Sequence, residues 1–382
     1  MYKLKDFAQD ISVAIKDAQS SPFDRFVGLE HYDSGEPVIT RYTDKSLLSS
    51  SVKEFRKNDI LIARRNVYLK RAGIAFFDGL TSGDSIVLRI YDDCESRTGI
   101  SKQDAIRIIP FILNSNVFWA YANKHADGMN SKRISKEMLY DYEFDLPPLA
   151  EQKVLAEKLW AAYRLKESYK KLLAATEEMV KSQFIEMFGS SAERVALSSL
   201  CDTFIDGDWI EAKDQSDSGI RLIQTGNVGV GTLKDKGDKA RYISEDTFNQ
   251  LNCTEVVEGD ILISRLPDPV GRACIIPAGL GKSITAVDCT IIRLNDKVLP
   301  KFFVAFTNTP DYAMQIKKVL SGTTRLRVSR ANLGKIQVPL PSVDKQQQFV
   351  TIAVQSDKSG FELRKSIEAI DKVIKSLVNV NL

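Results

Sequence analysis

The side chains of this sequence that could do chemistry are mainly basic, and they occupy matched positions in two parts of the chain. Arginine carries a rigid planar fork that can pair with guanine O6 and N7, while Asn, Gln and Thr can pair with adenine or support phosphate contacts. Each residue taken singly is more often a solvated surface charge, but the matched positions favour a surface that recognises DNA. The candidate DNA-binding residues are Arg64, Arg65, Lys70, Arg71, Lys132 and Arg133 in the first part, and Thr225, Asn227, Arg265, Arg272, Arg325, Arg327 and Arg330 in the second.

Motifs for catalysis are largely missing. His31 and His125 are the two histidines of the sequence, so it contains no HExxH and no HxxxH metal pair. The segment GLGKS at 279–283 imitates a phosphate-binding loop, but that motif needs Gly where this chain has Ile276. We therefore expect no catalytic residue and no metal ligand in this chain.

A nuclease site is a weak alternative. Such a site would combine Glu211 and Lys213 with Asp206 or Asp208. An acidic residue two positions before a lysine should occur a few times by chance, because 27% of the residues are charged. The pattern alone therefore does not favour an enzyme.

The whole sequence repeats one pattern with an offset near 200 residues. NDILIAR from Asn58 returns as GDILISR from Gly259, and each copy closes with a proline-led phrase, LPPLAEQ from Leu146 and LPSVDKQ from Leu340. Such a period is far too long for a solenoid, so we interpret the chain as a duplicated domain in which each copy is followed by its own helix. The paired positions and their offsets are Asp59 with Asp260 (201), Asp84 with Asp288 (204), Gly128 with Gly322 (194) and Gln152 with Gln346 (194).

Bulk composition fits two ordinary domains. The 382 residues are 43% hydrophobic, with no apolar run of membrane-spanning length and no signal-peptide pattern at the start, so we expect a cytoplasmic protein without membrane contact. Five cysteines without a CxxC pair predict reduced thiols.

Both modules are close to neutral. Residues 1–148 contain 21 Lys and Arg and 21 Asp and Glu, and residues 189–338 contain 19 Lys and Arg and 18 Asp and Glu. A module this close to neutral should bind DNA weakly unless its basic residues cluster or a partner adds charge.

The elements that must position these residues are short strands and two long helices. The run ILI at 60–62 and 261–263 predicts a buried strand in each copy, and SIVLRI at 85–90 and CTIIRL at 289–294 predict a second strand. Together with the short helical segments between them, these strands predict an α+β fold for each module.

Two long helices follow the proline phrases. Residues 149–188 contain no Pro and no Gly and predict one helix of about 60 Å. A similar segment at 344–382 is weakened at Gly360, where a kink or break is possible. An antiparallel coiled coil of the two helices would relate the modules by a pseudo-two-fold axis; the alternative is that each helix packs on its own module. The candidate residues for helix pairing and subunit docking are Leu155, Leu159, Tyr169, Leu173, Val180, Leu363, Ile367, Ile370, Ile374 and Leu377.

These segments divide the chain into four parts: a first recognition module at 1–147, a central spacer helix at 148–189, a second module at 190–338 and a distal spacer helix at 339–382. Their order, together with DGDWI from Asp206, EGDILISR from Glu258, SGTTRLRVS from Ser321 and VPLP from Val338, resembles the specificity (S) subunit of Type I restriction-modification enzymes. The first copy matches the family pattern less well, because it has ADGMNSKRIS from Ala126 where the second copy has LSGTTRLRVS.

The resemblance implies two target recognition domains, each reading one half of an asymmetric bipartite sequence in double-stranded DNA, with helices that act as spacer and dock two methyltransferase (M) subunits. It implies that S-adenosylmethionine, ATP and Mg are needed only in the M and restriction (R) subunits, and that this chain is not catalytic. Two alternatives stay open: the specificity chain of a methylation-only defence system, and a coiled-coil scaffold whose duplicated domains bind protein.

Overall fold

The computed structural model describes residues 1–48, 51–129, 131–189 and 193–382, and its contacts divide the chain into two compact units. The first unit comprises Met1–Lys170 with Lys365–Leu382, and the second comprises Lys171–Arg364. Each unit mixes strands and helices, and each contains part of two helices of about 40 residues. The expected α+β class with two like modules and two long helices is confirmed.

The first module contains twelve described strands and five described α-helices. Its strands are β1 (Tyr2–Lys3), β2 (Ala8–Asp10), β3 (Ala14–Ile15), β4 (Arg25–Val27), β5 (Val38–Ile39), β6 (Thr43–Asp44), β7 (Val52–Phe55), β8 (Ile60–Ala63), β9 (Ala72–Ala75), β10 (Gly79–Ser82), β11 (Ser85–Ile90) and β12 (Glu143–Phe144). Its helices are α1 (Leu4–Phe7), α2 (Cys94–Thr98), α3 (Lys102–Ile112), α4 (Asn116–Lys124) and α5 (Lys136–Tyr140).

The second module is built from a matching but smaller set. After the long helix α6 (Leu149–Phe188) come β13 (Arg194–Ala196), β14 (Cys201–Asp206), β15 (Ile220–Ile223), β16 (Arg241–Ile243), α7 (Glu245–Gln250), β17 (Ile261–Ser264), β18 (Ala273–Ile275), β19 (Ser283–Thr285), β20 (Cys289–Leu294), α8 (Pro300–Phe306), α9 (Pro310–Val319), α10 (Arg330–Leu333) and β21 (Gln337–Pro339). The chain ends with the long helix α11 (Val343–Asn381).

The duplication is visible in the sheets. The order β2-β11-β8-β9 of the first module returns as β14-β20-β17-β18 in the second, and the two-stranded pair β1-β12 returns as β13-β21. Registers agree as well, because Ile60 faces Leu88 and Ile261 faces Ile292. The modules differ in the second sheet, which is β3-β7-β10-β4-β6 in the first and β16-β15-β19 in the second.

The central strand of each module lies between two hydrophobic cores. Successive side chains of a strand point to opposite faces, and in β8 Ile60 and Ile62 pack against the helices while Leu61 and Ala63 pack toward the other sheet. Strand β17 does the same. The ILI runs are therefore buried on both faces, which explains why they are continuously apolar.

An ion pair links the two central strands of each module at an equivalent position. Asp59 is 1% exposed and accepts two hydrogen bonds from Arg89, at 2.8 and 2.7 Å. Asp260, also 1% exposed, accepts two from Arg293, at 2.7 and 2.8 Å. These hydrogen bonds raise the pKa of both guanidinium groups, and such bidentate pairs fix geometry strongly. The aspartate of the repeated DILI phrase thus maintains the framework.

In the first turn of each long helix, a glutamine binds the proline phrase that precedes the helix. The side-chain amide of Gln152 donates to the carbonyl of Pro147 at 2.7 Å, and that of Gln346 donates to the carbonyl of Pro341 at 2.9 Å. Gln346 also accepts from the backbone N–H of Leu299 at 2.9 Å. This explains the repeated glutamine at an offset of 194.

The two long helices run antiparallel. Within the second unit, the ring of Phe184 lies 5.1 Å from that of Phe349, whereas Leu173, earlier in α6, lies beside Gly360, later in α11. Within the first unit, Lys166 forms an ion pair with Asp371 at 2.5 Å. Helix α11 is unbroken at Gly360, which answers the question that its sequence raised.

The helix-pairing candidates divide into two sets. Leu155 and Leu159, with 6% and 0% exposure, belong to the hydrophobic core of the first module rather than to a free helix surface. Helix α6 thus packs on α11, as the coiled-coil interpretation expected, and also on its own module, as the alternative expected. The half-buried candidates are Tyr169, Leu173, Val180, Leu363, Ile367, Ile370, Ile374 and Leu377.

Two further expectations can be compared with the structure. The five cysteines are free thiols, and burial raises the pKa of Cys274 to about 12. Within the described ranges, neither long helix nor any shorter one has an apolar stretch of the length needed to cross a membrane.

Candidate nucleic-acid interface

In the first module, a basic edge forms where β8 ends. Arg64 and Arg65 follow the strand directly, and the backbone N–H of Ile134 donates to the carbonyl of Arg64 at 3.0 Å, which places Arg133 beside them. The carboxylate of Asp84 lies 3.8 Å from Arg64, 3.7 Å from Arg65 and 3.8 Å from Arg133. We call Arg64, Arg65, Lys132 and Arg133 the first basic edge.

A short loop presents this edge. Asp127 and Arg133 exchange two backbone hydrogen bonds, at 2.9 and 2.8 Å, so the loop between them is closed at its base. Gly128 has a φ of +113°, and a Cβ there would lie 2.9 Å from the carbonyl oxygen of Ser131. Only glycine fits this turn without strain. Lys132 and Arg133 are exposed at its end.

The second module forms an equivalent edge where β17 ends. Ser321 and Arg327 exchange two backbone hydrogen bonds, both at 2.9 Å, and the N–H of Val328 donates to the carbonyl of Arg265 at 3.2 Å. Gly322 has a φ of +100°, and a Cβ there would lie 2.4 Å from the carbonyl oxygen of Arg325. We call Arg265, Arg325, Arg327 and Arg330 the second basic edge.

The arginines of the second edge differ in their freedom. Arg325, Arg327 and Arg330 are exposed, and no carboxylate of the described residues lies within ion-pair distance of them. The side chain of Arg265 is only 15% exposed, donates to the carbonyl of Val287 at 2.7 Å and lies 3.4 Å from Asp206. The exposed three are therefore better placed to contact DNA than Arg265.

Several other candidates are bonded within their own module. Arg272 donates to the backbone carbonyls of Pro267, Pro269, Val228 and Thr225, at 3.0, 2.7, 3.0 and 3.3 Å. Its guanidinium therefore ties the segment 225–228 to the turn 266–270. The side chain of Thr225 itself remains half-buried.

Asn227 and Arg71 also have internal partners. Asn227 is 4% exposed and bonds to the backbones of Lys234 and Gln224, both at 3.0 Å. Arg71 donates to the carbonyls of Leu29 and Arg65, both at 2.9 Å, and burial lowers the pKa of its guanidinium. Lys70 is half-buried, 3.4 Å from the side chain of Asn116. Sequence reasoning could not separate such residues from free ones, because the conformation of the surrounding loops decides which carbonyls and side chains they meet.

The rejected catalytic patterns have ordinary structural roles. Gly279 and Gly281 have positive φ angles, and the segment GLGKS leads into strand β19 rather than into a phosphate-binding helix. Lys213 pairs with Glu211 at 3.0 Å on the surface. Within the described ranges, no cluster of three His, Cys, Asp or Glu residues could hold a metal ion.

Sequence reasoning missed two exposed aromatic residues beside the edges. Tyr68, 59% exposed, lies in the turn after Arg65, and Trp209, 71% exposed, lies three residues after Asp206. Sequence alone could not mark them, because exposure of an aromatic side chain depends on what the rest of the fold covers.

Comparison with known proteins gives the class of this fold. Residues 190–370 match the family model for the type I restriction modification DNA specificity domain. The specificity subunit of the type I restriction enzyme MjaVIII of Methanocaldococcus jannaschii is 21% identical over 287 residues, covering 69% of this chain and 66% of that relative. The specificity subunit of EcoBI of Escherichia coli is 23% identical over 292 residues, covering 67% and 61%. The matches thus span less than two thirds of these relatives.

A solved structure extends the likeness to the whole fold. A chain from work on complex assembly and conformational transition of the type I R-M system matches with a TM-score of 0.54 and 15% identity, covering 99% of this chain and 98% of its own length. This chain thus shares its two-module fold with paired long helices with that solved structure. Residues 190–370 are thus similar to the DNA specificity domain of type I restriction-modification systems, and both of these relatives are specificity subunits.

Proposed function

We propose that this chain selects the DNA target of a type I restriction-modification system, with each module reading one half of an asymmetric bipartite sequence. The observation that carries the proposal is the pair of basic edges. Each combines the residues after the central strand with a loop closed by two backbone hydrogen bonds, at equivalent positions of the two modules. Exposed arginines on short loops supported by a sheet can contact base edges and phosphates.

The two half-sites should differ in sequence. The framework around each edge is shared, but the loops read DGMNSKR from Asp127 and SGTTRLR from Ser321. Three arginines surround Asp84 at the first edge, whereas those of the second loop are unpaired within the described chain. The two edges therefore offer DNA different donors in different surroundings, which supports an asymmetric target.

The long helices are proposed to dock two M subunits. Leu165, Leu172 and Met179 of α6 are 46%, 52% and 50% exposed, and each follows the previous one by seven residues. On a helix this spacing places apolar side chains on one face, and exposed apolar patches usually mark interaction surfaces. Docked subunits would also supply phosphate contacts that a nearly neutral module lacks.

The proposal assigns the chemistry to the partner subunits. Family resemblance implies that M subunits use S-adenosylmethionine to methylate adenine N6, and that R subunits use ATP and Mg for translocation and cleavage. This chain would bind no cofactor, contribute no catalytic residue and act in the cytoplasm, where its DNA and partners are.

Replacing Arg327 by alanine should weaken DNA binding of the S–M complex while leaving its assembly intact. A lost base contact costs about 1–3 kcal/mol of binding free energy and relaxes specificity at one position. A lost phosphate contact instead weakens binding to all DNA sequences alike and reduces the slope of log affinity against log salt concentration by about one. Gel shifts at several salt concentrations measure the affinity and its salt dependence. Arg325→Ala is the neighbouring comparison, and size-exclusion chromatography is the control for assembly. Unchanged affinity in both variants would contradict the proposed role of the second edge.

Two alternative functions remain open to experiment. A protein-binding scaffold predicts that the chain binds no DNA even in complex with M, so the same gel shift discriminates it. A methylation-only system predicts an M gene without an R gene beside this one. Both alternatives leave the fold unchanged.

A further inference from the structure

Trp209 is an exposed aromatic residue on a firmly anchored loop. Before it, the N–H of Gly207 donates to the carbonyl of Cys289 at 2.9 Å, and the N–H of Asp208 donates to that of Thr285 at 2.8 Å. The carboxylate of Asp208 also accepts from the N–H of Thr254 at 2.9 Å. The 71% exposure of Trp209 is thus imposed by a fixed backbone.

The residues after Trp209 are fixed as well. Ile210 packs partly into the small core formed by β15, β16 and β19. The N–H of Glu211 donates to the carboxylate of Asp214 at 2.9 Å, and the N–H of Asp214 donates back to the carbonyl of Glu211 at 3.1 Å. An indole held this way leaves a large apolar surface in contact with water, and burial of that surface against a ligand would be favourable.

The loop with Trp209 starts at the second basic edge. Asp206, the last residue of β14, lies 3.4 Å from Arg265, whose carbonyl accepts from the N–H of Val328 beside Arg327. Three residues of extended chain span at most about 11 Å, so Trp209 lies within that distance of Asp206. The backbone of Trp209 is therefore close to the second basic edge.

The first module has an exposed aromatic residue from a different loop. Tyr68 lies in the 3-10 helix Val67–Leu69, and this helix is held to the first edge because the N–H of Asn66 donates to the carbonyl of Lys132 at 2.7 Å. In the second module the corresponding segment is LPDPV at 266–270, which has no aromatic residue. Each edge thus has one exposed ring, supplied from non-equivalent positions.

We propose that Trp209 is a specificity-determining residue of the second module and packs its indole ring against a nucleotide of that module's half-site. The inference rests on the proposed function of the chain. Aromatic side chains on DNA-binding surfaces contact the thymine methyl group and sugar faces, or insert at an unstacked base step. Because Trp209 has no equivalent in the first module, its contact would distinguish the two half-sites.

The test uses the complex of the full chain with M subunits and duplex DNA carrying the motif that the wild-type complex methylates. Trp209→Ala should bind this duplex about tenfold more weakly, because stacking of a base on an aromatic ring contributes about that much or more. Trp209→Phe should retain most of the affinity. Met314→Ala removes another apolar side chain, 58% exposed on α9, and should have no effect.

Tryptophan fluorescence gives a second readout. Trp119 and Trp160 are only 1% and 8% exposed, so a change in emission on binding DNA should come from Trp209 and disappear in Trp209→Phe. Base substitutions in the second half-site should be tolerated better by Trp209→Ala than by the wild type, with the first half-site unaffected.

If the Trp209 variants have the same affinity, selectivity and fluorescence response as the wild type, this inference is wrong, while the proposed function still stands. A wild-type complex that neither methylates nor binds a bipartite motif would instead overturn the proposed function, and the role of Trp209 with it. Weaker binding of Trp209→Ala confined to the second half-site would establish the inference.

Discussion

Replacing Asp260 by alanine is expected to destabilise the second unit by about 3 kcal/mol, because removing one partner of a buried ion pair is among the most damaging single changes. Asp260 is 1% exposed, and its two hydrogen bonds to Arg293 join β17 to β20. It also accepts from the N–H of Val257 at 2.9 Å. We take the lower end of the usual range because the side chain of Arg293 is 44% exposed and can be solvated after the change.

Hydrogen–deuterium exchange of the variant should locate the effect. Peptides of β17 and β20 should exchange faster, while those of β8 and β11 should keep their protection. Asp59→Ala should produce the reverse pattern, and Asp202→Ala, which removes an exposed carboxylate, should change neither. Equal loss of protection in both units from Asp260→Ala would show that the modules do not carry independent frameworks.

The double variant Leu172→Asp with Met179→Asp is expected to weaken assembly with M subunits strongly without unfolding the chain. Both side chains are about half exposed in the absence of a partner, so charging them costs the isolated chain little. In a docked complex they would be buried, and residues central to an interface often contribute 2 kcal/mol or more each. We expect the affinity for M to fall by at least about 30-fold.

Two controls interpret that result. Ala174→Asp adds the same charge to an exposed position on another face of α6 and should leave assembly intact. Leu159→Asp should unfold the first unit, because Leu159 is fully buried in its core. If the double variant assembles with M as the wild type does in co-purification, the docking surface lies elsewhere.

Much of the framework could be predicted from the sequence. The ILI runs are buried strands, the segment from Leu149 without Gly or Pro is one helix, and the repeated Asp and Gln residues have repeated partners. These features depend on local pattern, which a sequence displays directly. The burial of Leu155 and Leu159 within the module was not predictable, because an apolar helical stripe does not specify which surface covers it.

The candidate interface was predictable only in outline. The sequence indicated which loops carry basic residues, and the structure brings Arg64, Arg65 and Arg133 together around Asp84. The sequence did not reveal that Arg272 is bonded to carbonyls of two separate segments, nor that Trp209 is exposed. Both facts depend on contacts between residues far apart in the chain.

The proposed function requires two modules in this chain that read different DNA sequences. Mapping N6-methyladenine across the genome of cells that express this chain with its M subunits tests it most directly. We expect one asymmetric motif with two specified halves separated by unread bases, with methylated adenines on opposite strands, and half-site centres about one helical turn apart. A single continuous motif, a palindrome, or no motif that depends on this chain would contradict it.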